Sequence, residues 1–323
     1  MDKGFRIGSI FLIISVFLIT GCSPRISLFG DRDQPLKEYT LQGKGRDKIL
    51  VLSIDGTLSE RSEQQLLRRQ PSTVQQVAAY LKHAEQDSRI KALLLKINSP
   101  GGTVTASDIL YHEISAYKQR TGVKIVAVMM NVAASGGYYI ALPADTIVAH
   151  PTTITGSIGV IFMRPQASGL LDKIGLGVAL NKSGELKDMG STYRPPTEEE
   201  MTLFQGLTEG LAKRFFELVM HHRQLPQEQF DQITSARIYL ADQAKALGLV
   251  DQIGYLEDAI ASAINLAGLP EDARVIAYRR QKKEDDTIYN PAIQYEGGQV
   301  VLPVVLPSLE ADFYYIWPAA IGQ

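Results

Sequence analysis

The sequence predicts an α/β protein whose central sheet is largely parallel. Three apolar runs have the composition of buried strands, namely Lys48–Ile54, Ala92–Ile97 and Lys124–Met130. Segments with apolar residues at helical spacing lie between them, and this alternation is typical of βαβ units, in which the strands run parallel. From Thr197 onward the pattern is mostly helical, so we expect additional helices towards the carboxyl end.

Composition and charge exclude several classes of protein. The 323 residues are 45% hydrophobic and 21% charged, as in globular proteins and unlike fibrous or largely disordered ones. Only one segment is apolar enough to enter a bilayer, which excludes a polytopic membrane protein. The formal net charge is −2, so we expect no nucleic acid partner. A single cysteine allows neither an intrachain disulfide nor a cysteine-based metal site.

The amino end has the pattern of an export signal. Lys3 and Arg6 precede an apolar run, Ile10–Ile19, which is too short to span a bilayer but typical of a signal-peptide core. The next residues end in Thr20-Gly21-Cys22 and resemble a bacterial lipobox, in which the cysteine is lipidated and becomes the first residue. We therefore expect a lipid anchor at Cys22 that holds the mature protein to a membrane of the cell envelope, on the extracytoplasmic (periplasmic) side. The alternative is an ordinary signal peptide followed by a chance cysteine.

The chain is expected to divide into four parts. Residues 1–21 are the lipoprotein signal peptide, residues 22–47 a tether, residues 48–278 the folded domain, and residues 279–323 a charged linker with an apolar tail. A short helix is expected directly after Ser135. The other elements predicted within the domain are helices over Ser72–Gln86, Ser107–Arg120, Thr197 to about His222, Ala241–Leu247 and Glu257–Ala267, and strands over Thr146–Ala149, Gly159–Met163, Val178–Leu180 and Arg274–Tyr278.

The tail from Val300 leaves two interpretations open. One is packing of this proline-rich, aromatic segment against the domain or against a neighbouring subunit. The other is contact with a membrane surface, since Tyr and Trp favour the membrane–water interface. The side chains that would make this contact are Phe313, Tyr314, Tyr315 and Trp317.

Ser135 is the candidate nucleophile. It lies between a predicted strand and a short predicted helix, where backbone N–H groups converge and the helix dipole favours negative charge. Gly136 and Gly137 follow it and would let a substrate backbone approach without a Cβ clash. A plain N-cap serine is the alternative, and the sequence here lacks the Gly-x-Ser-x-Gly pattern of α/β-hydrolases.

The turn Asn98-Ser99-Pro100-Gly101-Gly102 is a candidate oxyanion hole. It ends a predicted strand, and its glycine amides could point at a developing negative charge. Each preorganised N–H donor of this kind contributes about 3 kcal/mol in comparable enzymes. The alternative is a tight turn with no part in catalysis, which is the commoner use of Pro-Gly.

A serine nucleophile needs a general base. Among the five histidines, His150 at the end of a predicted strand is the one serious candidate, and no His-Glu-x-x-His zinc-protease motif occurs. A lysine can also act as the base when burial keeps its amine neutral. Lys187 lies in a glycine-containing loop, although considered alone it has the features of a surface lysine. Asp188 is expected to point away from that amine, because a nearby negative charge would favour the protonated form.

Taken together, these segments resemble the signal peptide peptidase A family of serine peptidases. The motifs follow the family's order from about Lys48 to Leu266, are specific in combination, and suit its short, single-copy form. They are Asn98–Gly102, Ala134–Ile140, Thr155–Val160, Ser183–Asp188, Ala236–Tyr239 and Gln243–Asp251.

The resemblance implies a fold, a set of roles and an assembly. The fold would be the crotonase-like spiral of βαβ units shared with the Clp protease. Ser135 would be the nucleophile, Lys187 the general base and Ser157 the residue that holds the lysine amine. Gly101 or Gly102 would form the oxyanion hole with Gly136, and no metal or organic cofactor is required. Such enzymes assemble into rings or domes and act on signal peptides left in membranes. The resemblance therefore implies a homo-oligomeric ring, in which the lysine could serve a neighbouring subunit's serine.

The sequence thus predicts a membrane-anchored serine endopeptidase that cleaves apolar peptides with a Ser–Lys dyad. A crotonase-type acyl-thioester enzyme would share the fold and the oxyanion hole without needing a serine nucleophile. A catalytically silent envelope scaffold is the second alternative. The joint occurrence of Ser135 and Lys187 favours the peptidase over both.

Overall fold

The structure, a computed structural model, describes residues 35–65, 68–280, 286–290 and 312–320. The predicted signal peptide, Cys22 and the first part of the tether lie outside the described residues. The strands are β1 Lys37–Gln42, β2 Lys48–Asp55, β3 Glu63–Gln65, β4 Arg68–Gln70, β5 Ile90–Ser99, β6 Gly101–Thr103, β7 Lys124–Ala134, β8 Thr146–Ala149, β9 Ile154–Gly156, β10 Ile161–Met163, β11 Ile238–Leu240, β12 Gln252–Ile253, β13 Arg274–Arg279 and β14 Asp312–Ile316.

The helices lie mostly where the sequence predicts them. They are α1 Thr73–Ala84, α2 Val104–Thr121, α3 Gly136–Tyr139, α4 Ser168–Ile174, α5 Glu198–Arg223, α6 Gln227–Ile233, α7 Ala241–Ala246 and α8 Leu256–Ala267, with 3₁₀ turns at Glu185–Asp188 and Pro318–Ala320. A capping box begins α5, at the residue where the sequence predicts this helix to start: the Thr197 hydroxyl accepts from the Glu200 amide, and the Glu200 carboxylate accepts from the Thr197 amide. No helix in the described part of the chain is long and apolar enough to cross a membrane.

The largest sheet among the described residues has nine strands, in the order β1-β13-β2-β5-β7-β8-β12, with β9 beside the end of β7 and β11 beside β9. The strands from β13 to β12 run parallel, whereas β1 is an antiparallel edge strand. β2 and β5 are buried over nearly their whole length, as expected when helices cover both faces of a parallel sheet. The predicted α/β fold of βαβ units is confirmed.

Successive residues of the central strands face two different hydrophobic cores. In β5, Leu93 and Leu95 pack in the core that α1, α2 and α5 cover, while Leu94 packs in the core beneath Leu256 and Ile260 of α8. This alternation follows from the two-residue period of a strand. It explains why the central strands are apolar throughout rather than alternately polar.

Two predictions about local structure are wrong. Residues Lys37–Gln42 form β1, paired antiparallel with β13, rather than part of a tether, because Leu41 adds to the core beside α8. No strand forms over Val178–Leu180, whose two apolar side chains are about half exposed.

Lys48, a buried residue at the start of β2, forms ion pairs with Glu38 of β1 and with Asp87. Its side chain is 1% exposed, and its Nζ lies 2.5 Å from Glu38 Oε2 and 2.6 Å from Asp87 Oδ2. A buried ammonium is tolerated because two carboxylates replace its hydration. Burial alone would raise the pKa of Asp87, but hydrogen bonds from Lys48 and Arg89 outweigh it and lower that pKa to about 2.

Replacing Lys48 by Met should lower the free energy of unfolding by about 2 kcal/mol near pH 7, the usual value of a charge-assisted hydrogen bond. The folded pKa of Asp87, about 2, lies below its ordinary 3.8. The stabilisation is therefore complete above about pH 4 and is lost as the pH falls towards 2. Urea unfolding measured from pH 2 to 7 checks this, with exposed Lys37→Met as the control. A difference between wild type and Lys48→Met that stayed constant over the range would contradict it.

Candidate active site

Ser135 lies at the end of β7 in a strained conformation. Its φ of 52° and ψ of −117° are rare for a residue with a Cβ and cost about 1–3 kcal/mol. The backbone amide donates to the Gly156 carbonyl oxygen at 2.7 Å, which holds this geometry. The side-chain Oγ is buried and has no hydrogen-bond partner among the described residues. Ser135 also makes no side-chain cap bond to α3, so the plain N-cap alternative is wrong.

The two glycines after Ser135 allow α3 to lie close to the end of β5 and to α2. A Cβ on Gly137 would overlap the carbonyl oxygen of Ser99, and a Cβ on Gly136 would overlap Ser107 Oγ. From the sequence, these glycines were expected to allow the approach of a substrate. The structure shows that packing of the protein itself also requires them, and this packing sets the position of Ser135.

The predicted oxyanion turn is present, but Gly101 is not one of its free donors. The Gly101 amide donates to Ser99 Oγ at 3.1 Å, and that hydroxyl donates to the Gly56 carbonyl oxygen at 2.6 Å. This inward turn needs the φ of 100° that glycine allows. Gly102 and Gly136 are therefore the donors that could stabilise an oxyanion. The Gly136 amide begins α3, where an amide has no acceptor within its helix.

Ser157 lies next to Ser135 because β9 pairs with the end of β7. Ala134 is opposite Gly156 in this parallel ladder, and the two serines are the next residues of their strands. Ser157 also has a positive φ, 50°, and its amide donates to the Arg237 carbonyl oxygen at 2.9 Å. The motif Ala236–Tyr239 therefore holds this loop through β11, which pairs with β9.

Lys187 does not meet Ser135 within the single chain. It is exposed in the 3₁₀ turn Glu185–Asp188, and Ser135 Oγ has no partner in the described part of the chain. The structure therefore brings Ser135, Ser157, Gly102 and Gly136 together and leaves the predicted base outside. This separation is the arrangement expected if a neighbouring subunit supplied the lysine.

Asp188 points away from Lys187, as predicted. Its carboxylate accepts from Lys182 Nζ at 2.7 Å and from Arg194 Nε at 2.7 Å, and these two hydrogen bonds hold its pKa well below the ordinary range. Arg194 also bonds the buried carboxylate of Glu200 and lowers the pKa of that group to about 2. This ion cluster joins the Lys187 turn to the first turn of α5. No pattern in the sequence predicted it.

His150 is engaged away from Ser135. Its Nδ1 lies 2.9 Å from Thr152 Oγ1, and its ring packs edge-on against Tyr255 with centroids 5.0 Å apart. No hydrogen bond joins it to Ser135, whose Oγ has no partner among the described residues. The structure therefore gives the histidine alternative no support.

The described part of the tail packs against the domain, so its aromatic residues do not all face a membrane. β14 pairs with both β6 and β10, and Tyr315 is fully buried. The membrane-contact interpretation is therefore wrong for Tyr315. The consecutive aromatic residues Phe313, Tyr314 and Tyr315 could have indicated a strand, but nothing local in the sequence indicates where that strand would pair.

Comparison with known proteins identifies the family. The Peptidase family S49 model matches residues 117–270, and the Clp protease model matches residues 60–154. "Putative signal peptide peptidase SppA" of Enterococcus faecium is 37% identical over 252 residues, which are 78% of this chain and 73% of that protein. The chain belongs to the signal peptide peptidase A family. It is a serine peptidase, which favours that prediction over the acyl-thioester and scaffold alternatives.

Two further proteins show similarity to this chain over part of its length. "Protease 4" of Haemophilus influenzae is 32% identical over 75% of this chain, which spans 38% of that protein. A ClpP1 mutant from Listeria monocytogenes is 18% identical, with a TM-score of 0.42 over 65% of this chain and 94% of that one.

Replacing Gly102 by Ala should abolish most peptidase activity. A Cβ there would overlap the Leu58 carbonyl group, so β6 and its amide must move. A misplaced oxyanion donor costs about 100-fold or more in kcat. Hydrolysis of an apolar fluorogenic peptide measures the loss, with thermal unfolding to confirm the fold. Gly206→Ala, in open space on α5, is the control and should keep full activity. Activity of Gly102→Ala within threefold of wild type would contradict the assignment.

Proposed function

We propose that this protein is a lipid-anchored endopeptidase of the cell envelope that cleaves apolar peptides, including remnant signal peptides, with Ser135 and Lys187. The observation that carries the proposal is the buried Oγ of Ser135, which has no hydrogen-bond partner in the described part of the chain, in a strained backbone conformation. A structural serine would pair its hydroxyl. Strain of this kind is concentrated at functional sites.

The proposed reaction is acyl transfer. The neutral amine of Lys187 takes the proton of Ser135, whose Oγ attacks the carbonyl carbon of the scissile bond. The amides of Gly102 and Gly136 stabilise the resulting oxyanion. The protonated lysine then gives its proton to the leaving amine, and water hydrolyses the ester to restore Ser135. Ser157 orients the lysine amine as a neutral hydrogen-bond partner.

We assign the general base to a neighbouring copy of the chain in a homo-oligomeric ring. Around the Lys187 turn, large apolar side chains are 39–64% exposed, and surfaces of this kind usually mark protein contacts. They are Leu170, Ile174, Leu176, Val178, Leu180 and Leu186. A contact between unlike surfaces closes in a ring under cyclic symmetry. Burial of the segment would also remove water from the lysine amine and favour its neutral, basic form.

Apolar peptide substrates are supported by the names of the relatives and by an aromatic surface beside β14. The relative from Enterococcus faecium bears the name of a signal peptide peptidase. Phe162 of β10 stacks on Phe204 of α5 with ring centroids 4.2 Å apart and lies 4.7 Å from the ring of Phe313 in β14, so this surface suits an apolar peptide. These two observations support apolar peptides as the substrate class.

Mixing two inactive variants tests the shared site. Ser135→Ala and Lys187→Met should each lose at least about 1,000-fold in kcat, because nucleophile and base act as a unit. When the two are refolded or co-expressed together, some interfaces pair an intact serine with an intact lysine. We expect those mixtures to recover peptidase activity, measured by cleavage of a synthetic signal peptide and mass spectrometry.

The matched control is Lys245→Met, another exposed lysine, which should leave activity unchanged. Recovery confined to mixtures would establish a base from the neighbouring subunit. No recovery in co-assembled mixtures would place the lysine within the same chain, and full activity of Lys187→Met alone would refute the dyad.

The lipid anchor is tested at Cys22. Cys22→Ala should leave the precursor unprocessed or release a soluble protein, because acyl chains on that cysteine would be the membrane attachment. Fractionation of cells into membrane and soluble parts, with metabolic labelling by a fatty acid, measures the result. Cys22→Ala that is processed normally and stays in the membrane fraction would contradict the anchor and leave the peptidase proposal intact.

A further inference from the structure

The carboxylate that directly follows the proposed base is engaged by two cations. Asp188 is the last residue of the 3₁₀ turn that carries Lys187, and its side chain is 13% exposed. Lys182 Nζ donates to its Oδ1 at 2.7 Å. Arg194 donates from Nε to Oδ2 at 2.7 Å and from Nη2 to Oδ1 at 2.9 Å. A guanidinium that binds both oxygens of a carboxylate fixes its direction as well as neutralising its charge.

Arg194 is itself held by the buried carboxylate at the start of α5. Glu200 is 1% exposed, and both of its oxygens accept from the guanidinium. It also accepts from the Thr197 amide at 2.9 Å, at a helix end where the dipole favours negative charge. Arg194 Nη2 donates in addition to the Asp188 carbonyl oxygen at 3.4 Å. The guanidinium therefore joins the main chain and the side chain of Asp188 to the first turn of α5.

The charges of this cluster balance without the proposed base. Two side chains are positive and two are negative, so the cluster is neutral as a whole: Lys182 from the loop before the turn, Arg194 from the segment after it, Glu200 from α5, and Asp188 itself. Glu185, on the same turn, is exposed, and its carbonyl oxygen accepts from Lys182 Nζ at 2.8 Å. No ion pair joins the proposed base to the cluster in the described part of the chain.

This balance matters for a lysine that must act as a base. Only the neutral amine can accept the serine proton, and a nearby carboxylate favours the protonated amine instead. Asp188 is adjacent to Lys187 in sequence, so it is the carboxylate that most directly opposes the reaction. Without Arg194 the cluster would be left with a net negative charge, and the Asp188 carboxylate would be free to turn towards the amine.

We propose that Arg194 is a positioning residue for the proposed base: with Lys182 it engages the carboxylate of Asp188, so that this charge is neutralised and held away from the amine of Lys187. The inference rests on the Ser135–Lys187 dyad proposed above and adds a residue that adjusts it. Arg194 takes no proton itself, since it acts on the amine through Asp188.

The pH dependence of kcat/KM for a synthetic signal peptide, measured on the purified full-length chain from pH 6 to 10, tests the inference. Arg194→Met should move the midpoint of the rising limb upward by about one unit. Activity at pH 7 then falls about tenfold, while the alkaline plateau stays within about threefold of wild type. Adding Asp188→Asn to Arg194→Met should return the midpoint to its wild-type position, because the opposing charge is gone.

The matched control is Arg120→Met. Arg120 is another half-exposed arginine, paired with Glu85 at the far end of α2, and its replacement should leave the pH profile unchanged. A purely structural role for Arg194 predicts a different result, namely lower activity at every pH, an unmoved midpoint and no rescue by Asp188→Asn. That result would overturn the inference.

Lys187→Met, assayed in parallel, separates this inference from the proposed dyad. If Lys187→Met keeps its activity, the proposed base is wrong. If Lys187→Met is inactive and the midpoint of Arg194→Met is unmoved, the dyad stands and the role of Arg194 is refuted.

Lys182→Met covers the case in which Arg194→Met misfolds because Glu200 is left buried without its partner. Thermal unfolding of each variant identifies that case. Lys182 is 38% exposed and bonds the carboxylate from the loop before the turn, so its loss leaves the pair of Arg194 and Glu200 in place. The midpoint should again move upward, by about half a unit, with about threefold less activity at pH 7. An unmoved midpoint for Lys182→Met would then overturn the inference.

Discussion

The hydrogen bond from the Ser135 amide to the Gly156 carbonyl oxygen joins the two strand ends that build the active site. It extends the parallel ladder of β7 and β9 by one step and fixes Ser135 in a conformation that an isolated chain would avoid. Ser157 emerges beside it for the same reason, because it follows Gly156. The side chain of Ser135, the proposed nucleophile, is therefore positioned by strand pairing rather than by contacts of its own.

Helix α5 also helps to hold the candidate site in place. Its first turn holds Arg194 through the carboxylate of Glu200, and Arg194 in turn holds Asp188 beside the proposed base. Farther along the same helix, Phe215 packs on the Tyr315 ring. One long helix thus contacts both the turn that carries Lys187 and the strand β14, so a shift of α5 would move both together.

Local sequence signals were sufficient for the sheet but not for the whole site. Apolar runs and the Thr197 capping box predict the central strands and the start of α5, because burial and capping depend on neighbouring residues. The motif around Ser135 predicts a turn at the end of β7 for the same reason. The hydrogen bond that engages the Gly101 amide depends on Ser99 folding back, and the pairing of β14 with β6 joins segments more than 200 residues apart in sequence. Neither contact leaves a periodic pattern, so the sequence could not reveal them.

Because β6 and β10 pair with both edges of β14, a peptide that took the place of this strand would have to be extended. A peptide that is helical in a bilayer satisfies its amides internally, and it must give up those hydrogen bonds before it can pair here. A folded protein would likewise have to break backbone hydrogen bonds in any segment that is not already unfolded, and it would also lose tertiary packing. Under the proposed function, two strand edges would therefore spare intact folded proteins. Discrimination between remnant peptides and intact proteins would then depend on how easily a segment becomes extended, in addition to its side chains.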